Sequence, residues 1–554
     1  MNTLRVIILN LIFFVSFPYV YAQPFNMILS GDPALEDLRF LTLETGKPFL
    51  SFAPPLSPDE IRIYLDSINE ASLSHPAREA YYRLISRLNP SANISLSSGN
   101  FTYHVEINAS LEGRIRFNED ILWHPLNEEI SKLLTFPMQL FFSDTLQLYF
   151  EPHFSIKPMD RNYREMFFIN IPENVGAEYY PVRSFAAIGG SWWNFHIGRD
   201  HLNWGTSHTG SLTFTDNDVL YDLAKLSVFA PDIKYTVLIN QMPIKLTPAL
   251  FTDNYRQNNP DDTYFYTKIM QRYFYLHRID VSLFGKLSIS YMEGVLIGNS
   301  PLELRFLNPL LIFHSLYTWN DYGQWPQTTN NAEESGVGSI LSLEINWNIY
   351  NSLAFYGQFV MTQFALQGEL NHDPDQPPDG LGYLAGFHYS HSFGAWGSVF
   401  YLEFIYTAPY LYISSSSISS LIQMDYVASS YPRYYLTGYQ RDTIALTLGA
   451  KFFKNDELSF TGSFAWIASG QFNKDNHIAG LTWDYEHGIE GRSKKTPSGI
   501  TEHNFILSIE GRWRIYPFLT VKSNIVGIYS INNNHNLANN QLGGQTSFNA
   551  VFSY

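Results

Sequence analysis

Near the end of the chain, apolar residues fall on every second position. Phe505, Leu507, Ile509, Gly511, Trp513 and Ile515 alternate with Ser508, Glu510, Arg512 and Arg514. A period of two predicts a β-strand with one apolar and one polar face. After the tight turn Tyr516-Pro-Phe518 the pattern resumes at Leu519, Val521, Ser523, Ile525, Gly527 and Tyr529. It closes the chain as well, with Phe548, Ala550, Phe552 and Tyr554 opposing Ser547, Asn549, Val551 and Ser553. Charges on alternate positions cannot face hydrocarbon, where a midplane Arg costs about 2–4 kcal/mol. Glu510, Arg512 and Arg514 are therefore expected to line a lumen. The fold class this implies is all-β and transmembrane, an antiparallel outer-membrane β-barrel.

Further tight turns are expected at Ala230-Pro-Asp232, Phe284-Gly-Lys286, Ile349-Tyr-Asn-Ser352, Phe393-Gly-Ala395 and Lys454-Asn-Asp-Glu457. Long polar connections separate them, around 203–218, 242–271, 299–336, 367–381, 408–440, 470–502 and 531–543. Short periplasmic turns alternating with long extracellular loops are the barrel rule. With Tyr554 periplasmic, the 531–543 loop lies outside and the other assignments follow by parity. Counting upstream gives about 18 strands, with about 16 as the fallback, because an even number returns the chain to the periplasm. The stretch Thr102–Phe117 does not divide cleanly and carries the ambiguity.

The chain does not begin with strands. Arg5, the apolar run Val6–Phe17 and Val20-Tyr-Ala22 make a signal peptide over residues 1–22. Residues 23–90 read as a periplasmic helical region and 91–554 as the barrel. Leu35, Leu38 and Leu41 follow Asp32-Pro. Ser57-Pro-Asp-Glu60 is a capping-box start for a stripe of Ile61, Tyr64, Leu65 and Ile68. A third stripe is Tyr81, Leu84, Ile85 and Leu88. These helices are expected to bury their stripes together or against the barrel base.

Composition narrows the function. Charged residues make up only 16% of the chain, against roughly 25% in soluble proteins. Mean hydropathy is −0.13, the value alternation leaves when apolar residues are spread over strands. A formal net charge of −16 argues against nucleic acid and gives no support to an anion-selective pore. There are no cysteines, so disulfides and cysteine metal sites are excluded. No metal or other cofactor is expected.

Two segments stand out. One is Trp192-Trp-Asn-Phe-His-Ile-Gly-Arg-Asp-His-Leu-Asn-Trp-Gly205. The other is Ser288-Ile-Ser-Tyr-Met-Glu-Gly-Val-Leu-Ile-Gly298, running on to Leu304-Arg-Phe-Leu-Asn-Pro-Leu-Leu-Ile-Phe-His314. A Gly-Arg followed by Trp-Gly, a strand with Glu before its aliphatic-Gly end, then Leu-Asn-Pro and an aromatic-His pair resembles the capsule-assembly Wzi family. Gly31-Asp-Pro-Ala-Leu-Glu-Asp-Leu-Arg39 and the Ser57-Pro start look like that family's periplasmic region. The resemblance implies an outer-membrane barrel that binds and organises surface polysaccharide, lectin-like and without catalysis. The alternative reading is a substrate-selective channel for sugars or small solutes.

Asn308-Pro309 is a helix start, placing Leu310, Phe313, His314 and Tyr317 on one apolar face. Such a face inside an extracellular loop is expected to tuck into the barrel mouth and plug it. Arg199 and Glu293 share the alternation of apolar neighbours. A one-residue bulge at Gly198 or Gly294 would swing each inward; otherwise Arg199 sits above the bilayer and meets lipopolysaccharide phosphate.

Sugar platforms are expected among Trp204, Trp319, Trp325, Tyr434, Tyr435 and Trp483, although barrels also place Trp and Tyr in interfacial girdles. Loop carboxylates such as Glu333 and Asp375 read as solvated, without a metal. His196, His201 and His208 lie near Ser207 and Asp200, but neither a Gly-x-Ser-x-Gly elbow nor a His-Glu-x-x-His helix is present, so no enzyme is expected. Expected partners are surface polysaccharide, outer-membrane lipid with lipopolysaccharide-type glycolipid, and the barrel-assembly machinery through the C-terminal strand.

Overall fold

The computed structural model describes residues 25–89, 94–118, 121, 132–143, 145–155, 183–215, 220–242, 244–245, 269–298, 300–308, 313, 336–364, 379–413, 421–424, 432–434, 441–471 and 495–554. Long antiparallel strands dominate it. From Arg183–Gly190 onward, each long strand pairs with the next one in sequence. The ladder continues through Leu458–Ser469, Glu502–Tyr516 and Leu519–Ile531 to Gln541–Ser553. That final strand pairs with Asn108–Phe117. The ladder then returns through 132–142 and 146–151 to Arg183–Gly190.

The expected tight turns all join neighbouring strands. The ambiguous stretch divides at Glu106-Ile107 into Phe101–Val105 and Asn108–Phe117. There the Glu106 N–H donates to Pro137 and the Ile107 N–H to Tyr554, each at 2.9 Å.

The two faces of the wall are inverted relative to a soluble protein. Ile509 and Leu448 are 50% and 58% exposed on the outside, whereas Lys225 and Arg278 are 0% and 2% exposed on the inside. Only an apolar surrounding makes that arrangement favourable. Exposed rings gather at or beside the tight turns, among them Trp192, Phe284, Tyr350, Phe393, Tyr516, Phe518 and Tyr554. They form the aromatic girdle that barrels place at a membrane interface.

Among the described residues, three α-helices precede the strands: α1 (Ala34–Thr45), α2 (Pro58–Asp66) and α3 (His75–Leu88). Ser57 and Glu60 make the anticipated reciprocal capping box. In α3 the buried stripe is Ala77, Ala80, Leu84 and Leu88, while Ile85 is exposed. The helix begins at His75, and spacings of three and four from Ala77 pass Ile85 by.

The helices sit within the ladder, against its inner face. Leu38, Leu41, Ile61 and Leu84 share one core with Ala354 and Val399 of the wall. Polar ties fix them there. Asn348 donates to the Thr42 carbonyl at 2.5 Å, Ser288 to the Leu50 carbonyl at 2.7 Å, and Ser390 to Glu44 at 2.8 Å.

Candidate functional site

The lumen is filled from both ends. From the tight-turn end comes the helical region with the extended segment Phe49–Leu56. From the other end, residues 201–215 fold back inward. Leu202, Trp204, Leu212 and Phe214 are buried with Leu238, Phe274, Leu296 and Ile340 of the wall. Tyr412 and Leu421, from the connection after Trp396–Thr407, join the same core.

The two plugging segments meet at Trp204. Its indole N–H donates to the Pro54 carbonyl at 2.9 Å, and the Gly205 N–H donates to the Phe52 carbonyl at 2.7 Å. The Arg278 guanidinium lies 5.4 Å from the ring centroid and the Lys225 ammonium 6.0 Å, within cation–π range.

Charges that would be costly in lipid are paired within the wall. Lys225 donates to the Ala53 and Pro55 carbonyls at 2.9 and 2.7 Å. Lys234 forms an ion pair with Glu60 of α2, and Asn194 donates to the same carboxylate at 2.9 Å. Arg278 bridges Asp280 at 2.7 Å and Glu344 at 3.1 Å. Glu403 anchors the inward loop: it accepts the N–H of His208 at 2.6 Å and of Thr209 at 3.0 Å. Ser207 Oγ at 3.2 Å and Tyr356 Oη at 2.5 Å also donate to it. His208 stacks on Tyr401 at 4.2 Å, and burial pushes its imidazole below the usual range.

One sector of wall is not covered in this way. On Glu502–Tyr516, Glu510, Arg512 and Arg514 share the face opposite Leu507, Ile509 and Trp513. Arg512 and Arg514 share Asp456 at 2.7 and 2.6 Å. The neighbouring strands put Asn549 of the closing strand in register with further polar positions, Lys522, Asn524, Glu112 and Arg114.

Several expected sites change. Trp204 is wholly buried and offers no ring face to a sugar at the surface. Arg199 keeps the outward alternation, because its register is unbroken on both sides of Gly198. No bulge swings it inward; it forms a bidentate pair with Asp222, both bonds 2.7 Å.

Glu293 likewise lies in unbroken register with His277 and faces away from the lumen, opposite Leu276 and Leu296. It is buried because the segment after this strand folds over the outer wall. Phe306 and Phe313 pack there on Tyr275, Val295 and Ile297. The Phe313 N–H donates to Glu293 at 3.1 Å, and Tyr291 Oη donates at 3.3 Å. This segment was expected to plug the mouth. Its described part is a strap outside the barrel, and the inward loop at 201–215 is the plug.

Asn308 closes a single 3-10 turn, Leu304–Leu307, its N–H bonded to the Arg305 carbonyl at 3.1 Å. The helix expected after it, with His314, lies outside the described residues, as do Trp319, Trp325, Tyr435 and Trp483. Tyr434 ends the short strand Pro432–Tyr434.

These features define an antiparallel β-barrel of the outer-membrane kind, with apolar exterior, charged interior and a folded plug. Its fold is similar to that of Wzi from Escherichia coli, described as an outer-membrane protein involved in group 1 capsule assembly and a carbohydrate-binding β-barrel. The TM-score is 0.56 at 12% identity, over 95% of this chain and 99% of that one. OprD of Pseudomonas aeruginosa is also similar, with a TM-score of 0.41 and 7% identity over 82% of this chain and 95% of that one. No family model and no curated protein matches the sequence.

Proposed function

We propose that the protein is an outer-membrane barrel that binds and organises surface polysaccharide without covalent chemistry, its helical region facing the periplasm. The observation that carries this reading is the filled lumen: Trp204, Leu212 and Phe214 are packed dry against the wall where a general porin holds water. Wzi, whose fold is alike, is described as carbohydrate-binding. The outward Arg199–Asp222 pair sits at a strand end beside the loop connection, where charged headgroups of a glycolipid surround a barrel. The C-terminal strand, with Phe548, Phe552 and Tyr554 outward, suits delivery by the barrel-assembly machinery.

The test is retention. Cells lacking the protein make normal amounts of surface glycan and release more of it into the medium. Unchanged retention overturns the reading. The second reading, a selective solute channel, is favoured by the hydrated sector carrying Glu510 and Arg512. Purified protein in a planar bilayer separates the two: steady solute-selective conductance supports the channel, and a near-silent bilayer supports the binder.

A further inference from the structure

We propose that the uncovered sector of the inner wall is a second binding site, open at the tight-turn end, for an acidic saccharide segment. The inference rests on the glycan-binding reading and adds a place and a charge to it.

The strand register builds the site. One row in register carries Thr461, Glu510, Asn524, Ser547 and Arg114 across five strands. The next row towards the turns carries Ser459, Arg512, Lys522, Asn549 and Glu112. All face inward, and all are partly or fully open to solvent. From Tyr516 at the turn, six residues of strand reach Glu510, a depth of about 20 Å.

Further up, Val526, Ile528, Ser530 and Gln545 are buried on the same wall. The pocket is therefore blind towards the long-loop end. No hydrogen bond among the described residues joins these two rows to the helices or to the 201–215 loop, in contrast to the covered sector.

The chemistry selects the ligand. Among the described residues, Arg512, Arg514 and Lys522 outnumber Glu510 and Asp456 here, in a chain whose net charge is −16. Lys522 is exposed and has no ion-pair partner among the described residues. Asn, Ser and Thr supply the donors and acceptors that hydroxyl groups need. No aromatic ring stands in either row, so neutral sugar faces find no platform here. Charge and hydroxyls are read instead, which suits a uronate-bearing chain.

Full-length protein in detergent is titrated calorimetrically with an oligogalacturonate and with maltooligosaccharide of equal length. The acidic chain should bind at least about tenfold more tightly, and Lys522→Glu should weaken it about tenfold, while Glu510→Gln should strengthen it. Equal binding of both chains, or an unchanged affinity in a folded Lys522→Glu protein, overturns the proposal. Access gives an independent readout. The chain has no cysteine, so Lys522→Cys carries a single thiol. A membrane-impermeant maleimide should label it only after the outer membrane is opened, and oligogalacturonate should protect it. Labelling on intact cells overturns the blind end. Loss of acidic-chain binding with glycan retention intact removes this site alone. The opposite result, binding intact and retention unaffected by gene deletion, removes the surface reading and leaves this site standing.

Discussion

Glu403 on the inner wall accepts the backbone N–H of His208 at 2.6 Å, and this bond pins an outer connection inside the lumen. Thr209, Ser207 and Tyr356 converge on the same carboxylate. Glu403→Ala leaves several buried donors unpaired, each costing about 1–3 kcal/mol. The expected outcome is a lower unfolding midpoint in urea and new protease cleavage within 201–215, read by mass spectrometry. An unchanged cleavage pattern would show that other contacts hold the loop.

Lys234 and Glu60 form the strongest tie between α2 and the wall, with Asn194 completing it. Removing one member of a buried pair costs about 3–5 kcal/mol, whereas replacing both with apolar residues is close to neutral. Glu60→Leu alone should thus destabilise strongly, and Glu60→Leu with Lys234→Met should recover only the part due to the orphaned ammonium, because the Ser57 N–H and Asn194 amide still lose their acceptor. A double-mutant cycle in urea measures both.

The strap and the inward loop give opposite conductance results. Deleting Pro309–Tyr317 should leave the bilayer quiet, because Phe306 and Phe313 pack outside. Shortening 206–213 should open current steps. Glu293→Ala should release the strap to proteases with a shift of the midpoint of about 1–3 kcal/mol, from the orphaned Phe313 N–H. A current increase from the strap deletion would contradict its placement.

His208 predicts an acid-sensitive plug. Burial is the main cause of its lowered imidazole pKa; Glu36 and Glu403 oppose it, while Arg39 and Lys451 reinforce it. His388 and Tyr401 pack on the ring. The unfolded chain takes a proton near pH 6.5, and the folded one only at lower pH. The neutral form's stabilisation is therefore full above about pH 6.5 and falls away as pH drops below it. The melting temperature of the wild type should fall more steeply from pH 7.5 to 5 than that of His208→Gln. Parallel curves would remove His208 as a cause.

The wall was legible because its rule is local. In Glu502–Tyr516, Ile509 and Trp513 alternate with Glu510 and Arg512, which gives the strand one apolar and one charged face whatever lies far away in sequence. The same rule holds for Lys225, which alternates with Ala224 and Leu226, and for Arg278 and Asp280, which alternate with Ile279 and Val281. The loops obey no such rule. Trp204 and Phe306 both lie in apolar stretches of outer connections, yet one turns into the lumen and the other over the wall. Glu403, 195 residues from His208, and Glu293, 20 residues from Phe313, hold the two segments in these places. The glycines misled for a related reason: Gly beside Arg199 suggested a bulge, but Gly198 lies at φ 139° in unbroken register because a close approach needs it. A Cβ there would stand 2.4 Å from the Ser184 carbonyl oxygen.

The seam between Gln541–Ser553 and Asn108–Phe117 governs how the molecule can assemble. Ser110 donates to Asn549 at 2.8 Å across 439 residues of sequence, a contact that only a nearly finished chain can make. Folding led by such distant pairings is slow. The N-terminal helices are made first but end up inside a wall whose last strand is made last. Zipping the seam encloses whatever helix is already seated against the inner wall.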